Sequence, residues 1–220
     1  MSFQFKDRAE AGRLLAAKLE SYAGREGLLV LALPRGGVPV AYEVAVKLKA
    51  PLDVFLVRKL GVPGHEELAL GAMASGGVCV FNDSVVKSCG ISRRVLEEIL
   101  ERERKELERR ERAYRRGEPP CLRGRTIILV DDGLATGATM RAAARAAREQ
   151  QPAEIVAAAP VAARETLEQL RREADAVVCV HAPEDFSSVG EWYADFEQTT
   201  DEEVRELLEK AKGKSIKAKG

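Results

Sequence analysis

The chain has 220 residues, enough for one α/β domain with embellishments. Thirty-five basic residues balance 35 acidic ones, so no global charge argues for nucleic acid or a membrane surface, and a 45% apolar share is ordinary for a globular core. No apolar run is long enough to span a bilayer, and Met1 to Arg8 does not read as a signal peptide.

Ala11, Leu14, Leu15 and Leu19 recur at helical spacing and predict a first helix with one buried face, ended by Gly24 and Gly27. Phe3 and Phe5 ahead of it suit either core or a lid. Leu28 to Leu33 is the first strand. It runs into Pro34-Arg35-Gly36-Gly37 and a helix from about Val40 to Leu48, a strand, Gly-rich turn and helix without P-loop or GxGxxG spacing. An arginine beside two glycines suits a diphosphate: the guanidinium supplies charge and the glycines expose backbone N–H groups. Leu52 to Val57 is the next strand, with Arg58 and Lys59 expected at its carboxyl end. Gly61 to Glu67 reads as a loop, and His65 in it as a surface residue able to titrate near neutrality. Ala69 to Ala74 and Val78 to Phe81 flank Ser75-Gly76-Gly77 as a β-hairpin.

Ser92 caps a long helix expected over about 92–116. Glu98/Arg102, Glu101/Lys105, Glu106/Arg110 and Glu108/Arg112 are i,i+4 pairs with the acid first, the favoured order. Its charge is balanced, so it reads as a solvated helix with one docked end, or as a dimer contact. Gly117 to Pro120 stops it. Ile155 to Ala159 and Ala176 to Val180 are further strands around a helix from Ala163 to Arg172, and the alternation argues for a doubly wound parallel sheet. His181 to Phe196 carries Phe186, Trp192 and Tyr193, aromatics that suit stacking on a planar ring or anchoring the C-terminal segment. Glu202 to Ala211 is a short helix and 212–220 a basic tail expected to be disordered. Cys79, Cys89, Cys121 and Cys179 lie far apart, which supports neither a disulfide nor a zinc site and makes the cytoplasm the expected compartment.

The most informative stretch is Thr126 to Met140. Thr126 to Val130 is an apolar, β-branched run suited to a strand buried on both faces. Asp131 and Asp132 end it, Gly133-Leu134-Ala135-Thr136-Gly137-Ala138-Thr139 turns, and an alanine- and arginine-rich helix follows. The turn's free N–H groups lie at the positive end of the helix dipole and suit a phosphate. The two carboxylates repel a phosphate, so they suit a neutral or cationic partner beside it, such as ribose hydroxyls or metal-bound water.

Val130 to Thr139 resembles the phosphoribosyl diphosphate (PRPP) binding motif of type I phosphoribosyltransferases. The resemblance covers about 28–180. It implies a single domain with a five-stranded parallel sheet flanked by helices, a β-hairpin with a mobile loop, the inserted helix, and a small hood from about 1–8 and 181–200. It implies that Asp131 and Asp132 hold the ribose hydroxyls, and Mg²⁺ indirectly, and that Gly133 to Thr139 hold the 5′-phosphate. By the same resemblance, Arg35, Gly36 and Gly37 serve the diphosphate, Lys59 adds charge to the site that holds the diphosphate and the 5′-phosphate, and Phe186, Trp192 and Tyr193 line a nucleobase hood. The implied reaction moves a phosphoribosyl group from PRPP to a nitrogen acceptor. Enzymes acting on 6-oxopurines carry an aspartate two residues before the motif's glycine. Here that position is Ala135, as in the adenine enzymes, which counts against hypoxanthine and guanine without establishing adenine; a base can also come from elsewhere, with Glu66 and Glu67 as candidates. A second reading is a PRPP-binding regulator without transferase activity. No helix-turn-helix is evident, so a nucleic-acid partner is not expected, whereas a homodimer is compatible with the long helix.

Overall fold

The computed structural model describes residues 3–62, 65–115 and 117–217, with the side chains of 65–69, 83–84 and 214–217 outside that description. Five parallel strands form the main sheet: β1 (Leu29–Ala32), β2 (Leu52–Val54), β6 (Thr126–Val130), β7 (Glu154–Val161) and β8 (Ala176–His181). Their order is β2-β1-β6-β7-β8, with β1 in register against β6 from Leu29↔Ile127 to Ala32↔Val130. The apolar runs of β1, β6 and β7 are buried on both faces, as strands under two helical layers must be. Helices α1 (Arg8–Lys18) and α2 (Gly37–Leu48) belong to the core layer on one face, and α5 (Ala138–Glu149) and α6 (Arg164–Leu170) to that on the other. Because the chain leaves β1 toward one edge and β6 toward the other, the β1 and β6 carboxyl ends meet at the point where strand order reverses. That crevice is the ligand position of open α/β sheets.

A second, antiparallel sheet departs from expectation. Val57–Val62 is its own strand, β3, paired with β4 (His65–Ala74), which pairs in turn with β5 (Val78–Phe81). Arg58 and Lys59 therefore lie inside β3, not at the end of a core strand. The predicted loop Gly61 to Glu67 is mostly strand as well, with 63–64 outside the described residues. Leu60 and Val62 are buried while Lys59 is exposed, a period-2 alternation. The hairpin at Ser75-Gly76-Gly77 forms as expected, with both glycines at positive φ. A short helix α3 (Asp83–Ser88) follows β5.

Helix α4 (Arg93–Tyr114) starts at Ser92, whose hydroxyl accepts from the Val95 N–H at 3.3 Å. It is docked along its length rather than at one end. Ile99 and Leu107 are buried, and Glu103, 6% exposed, accepts from Arg58 of β3 at 2.6 and 2.9 Å. Near the other end, buried Arg115 donates to the Val54 carbonyl at 2.6 Å and to Asp53. Of the surface pairs, Glu101/Lys105, Glu106/Arg110 and Glu108/Arg112 form, whereas Glu98 pairs with Arg94 and Arg102 with Glu103. Arg58→Ala leaves Glu103, among the described residues, with Arg102 as its partner. It is expected to cost about 1.5–3 kcal/mol of unfolding free energy, the range for losing a hydrogen bond to a charged group. Chemical denaturation checks this, and a change under about 0.5 kcal/mol, on the order of a surface substitution, would contradict it.

Helix α7 (Asp201–Lys217) is longer than expected and includes much of the basic tail. Thr200 and Glu203 form a reciprocal capping box, at 3.1 Å in both directions. Val204, Leu208 and Ala211 bury one face, which packs on α2 and α4. In α1, Ala11, Leu15 and Leu19 are buried, but Leu14 is 41% exposed, one position off the apolar face. The four cysteines are free thiols. Among the described residues, no helix is long and apolar enough to cross a membrane.

Candidate active site

Two loops meet at the switch point. The first leaves β1 as Leu33-Pro34-Arg35-Gly36 and enters α2 at Gly37. The Leu33 N–H donates to the Val130 carbonyl at 2.8 Å, which binds this loop to the end of β6, and the Pro34–Arg35 peptide is cis. The second is Asp131 to Gly137. They touch so closely that side chains are excluded. A Cβ on Gly36 would lie 2.0 Å from Asp132 Oδ2, and one on Gly37 would lie 2.6 Å from the Val130 carbonyl oxygen. The glycines thus admit the acidic pair, and the Gly37 N–H, expected to be exposed, instead donates to the Leu33 carbonyl at 3.1 Å as α2 begins.

Asp131 Oδ1 accepts from the Asp132 N–H at 2.9 Å. Burial pushes the Asp131 carboxyl well above the usual carboxylate range, and the neighbouring Asp132 charge adds to it. Burial also raises Asp132, against the opposing pull of Arg8, whose Nε donates to Asp132 Oδ2 at 2.8 Å. The Asp132 carbonyl accepts from the Tyr193 hydroxyl at 2.6 Å.

Past the acids, Leu134 bridges to Ala162, and the Leu134 N–H donates to the Val161 carbonyl at 2.9 Å. Thr166 Oγ1 donates to the Ala135 carbonyl, and Thr166 Cγ2 lies 2.4 Å from where a Gly137 Cβ would be. Gly137 caps α5 at φ 64, a conformation that favours glycine. Ala135, Thr136, Ala138 and Thr139 are exposed, and among the described residues no carbonyl accepts from the N–H of Ala135, Thr136 or Gly137. An open turn with free N–H groups at a helix start is an anion cradle. Lys59 and Thr139 line one cleft of about 270 Å³ between the antiparallel sheet and α5, with Arg141 and Arg145. Lys59, on the small sheet, thus shares a cleft with Thr139 at the start of α5. Arg35 is exposed at the first loop and pairs with Asp201 at 3.7 Å.

Among the described residues, the segments expected to form a hood pack together. The Phe5 N–H donates to the Trp192 carbonyl and the Ala194 N–H to the Phe5 carbonyl, both at 2.8 Å. Of the two N-terminal aromatics, Phe5 is core at 1% exposure and Phe3 is 44% exposed. Tyr193 is buried and braces Asp132, while Phe186 stacks near Trp192 at 6.4 Å between centroids. Trp192 also packs on His181. These rings pack chiefly on one another. The Glu66 and Glu67 side chains lie outside the described residues. Arg8 is the site residue that sequence reasoning missed. Its only local signal is a place one residue after the Asp7 cap of α1, and its partner lies 124 residues away.

The chain matches the family described as phosphoribosyl transferase domain over residues 4–196. It is 45% identical over 208 residues to two curated relatives from Mycobacterium tuberculosis, MT0597 of strain CDC 1551 and Rv0571c of strain H37Rv, both named as candidate phosphoribosyl transferases. That match covers 94% of this chain and 47% of each relative, so the chain spans about half the length of the curated relatives it matches. The crystal structure of TT1426 from Thermus thermophilus is 43% identical and superposes with a TM-score of 0.82, covering 94% of this chain and 98% of that one.

Proposed function

We propose a reaction for this chain from the fact that it belongs to the phosphoribosyl transferase domain family: it transfers the 5-phosphoribosyl group of PRPP to a ring nitrogen of a nucleobase and releases diphosphate. The observation that carries this reading is the meeting of an acidic pair, Asp131 and Asp132, with an open N–H turn and an arginine-glycine loop at the switch point of the sheet. PRPP has the complementary pattern: a monophosphate, a ribose diol and a diphosphate.

In this reading the turn Ala135 to Thr139 holds the 5′-phosphate, with Lys59 beside it, and Arg35 with the Gly36 amide holds the diphosphate, the Gly37 N–H being taken by the Leu33 carbonyl. Asp131 and Asp132 accept hydrogen bonds from the ribose hydroxyls. Breaking the bond to diphosphate leaves positive charge on the ribose, and carboxylates already in place beneath it need no reorganisation to stabilise that charge. Magnesium ion fits as a shared ligand rather than a caged one. Among the described residues no group of three carboxylate, histidine or cysteine side chains converges, so the ion would be held through substrate oxygens and water near Asp131 and Asp132. When bound it would neutralise the leaving diphosphate.

Arg35→Ala is expected to weaken PRPP binding by about 1.5–3 kcal/mol, the loss of a charged hydrogen bond, and to leave ribose 5-phosphate binding nearly unchanged. Calorimetric titration of both ligands with magnesium present tests this. Equal losses for the two would move Arg35 away from the diphosphate.

A further inference from the structure

Arg8 comes from the N-terminal segment, yet it reaches the centre of the site. Its Nε donates to Asp132 Oδ2 at 2.8 Å and its Nη1 to the Glu197 carbonyl at 2.6 Å. The guanidinium lies 3.9 Å from the Phe196 ring centroid, and the side chain is 12% exposed. It is therefore fixed by the hood on one side and by a carboxylate on the other. Asp132 is held at four points: Arg8 on Oδ2, the Gly36 backbone against the same oxygen, Tyr193 on its carbonyl, and Asp131 on its N–H.

We propose that Arg8 is a positioning residue for ribose recognition, aiming the Asp132 carboxylate at the ribose and making the hood a support of the PRPP half-site. This rests on the reading of the site as a PRPP site. A carboxylate has two oxygens and about four acceptor positions. Arg8 occupies one side of Oδ2, so the free positions left on Oδ1 and the rest of Oδ2 have a defined direction. Without Arg8 the carboxylate gains rotational freedom and faces the buried Asp131 with no cation opposite. An arginine suits this place because its planar fork serves a carboxylate and a carbonyl at once while stacking on an aromatic face. Phe196, through its ring, and Glu197, through its carbonyl, then influence ribose binding by way of Arg8.

The test compares wild type, Arg8→Met and Arg8→Lys by titration with PRPP, ribose 5-phosphate and inorganic diphosphate, all with magnesium, alongside melting temperatures. Arg8→Met is expected to weaken both ribose-bearing ligands about tenfold and diphosphate by less than about twofold. Arg8→Lys keeps the charge, holds its own fold if Met does not, and should recover part of the ribose-ligand affinity. This is the reverse of the Arg35→Ala pattern, which spares ribose 5-phosphate. A uniform loss for all three ligands, or no loss in Arg8→Met, overturns the role of Arg8. A wild-type protein that binds neither ribose-bearing ligand overturns the reading of the site itself.

Discussion

Gly36→Ala is expected to lower turnover about a hundredfold, because the new methyl group would occupy the space of the Asp132 carboxylate. The added Cβ would lie 2.0 Å from Oδ2 and 2.7 Å from Cγ, so the carboxylate must move. A surface carboxylate would swing aside at little cost. This one is tied to Arg8 and backed by Tyr193, and a displacement on the order of 1 Å at a reacting centre is enough for such a loss. Gly37→Ala should behave differently. There the clash is with backbone, 2.6 Å from the Val130 oxygen and 3.0 Å from the Asp131 Cα, and backbone in a buried strand end cannot yield. Gly37→Ala is therefore expected to cost about 1–3 kcal/mol of stability. Steady-state kinetics and thermal unfolding on the two variants separate the effects. Wild-type turnover in Gly36→Ala would show that Asp132 need not be where the fold holds it.

The second large effect concerns the acceptor. The turn around Ala135 resembles that of adenine phosphoribosyltransferases rather than 6-oxopurine enzymes, which place an aspartate there. Ala135 is exposed in the open turn, and its carbonyl is occupied by Thr166, so its methyl group offers nothing to a ring-nitrogen proton. A general base contributes about 10²–10⁴-fold. Hypoxanthine and guanine are thus expected to turn over at least about a hundredfold more slowly than the best acceptor. Competing nucleobases in one reaction, with products separated by mass, give the ratio directly. Efficient formation of inosine or guanosine monophosphate would mean that a base comes from elsewhere in the site.

Much of this fold is legible in the chain because the central elements are extreme in composition. Ile127 to Val130 is apolar throughout, and only a strand covered on both faces tolerates that. Ser75-Gly76-Gly77 marks its hairpin through residues that accept positive φ. Strand β3 escaped because charged Arg58 and Lys59 resemble a strand end, although Leu60 and Val62 carry the alternation of a half-buried strand. The extension of α7 into a lysine-rich segment escaped because the buried face of Val204, Leu208 and Ala211 anchors the helix, a tertiary effect that composition does not express. In the site, the acids, the turn and both glycines were legible as motif, but the reason for Gly36 was not. It depends on β1 and β6 being neighbours, which is a property of sheet order. Arg8 lies beyond local reading for the same reason.

The central claim is that this site catalyses transfer from PRPP, and diphosphate release in the presence of PRPP, magnesium and a panel of nucleobases tests it most directly. The expected result is release that depends on one acceptor, with a product whose mass is that acceptor plus ribose 5-phosphate less one water, and its loss in Asp132→Asn. PRPP binding without diphosphate release for any acceptor would instead make the chain a PRPP-binding regulator and contradict the account.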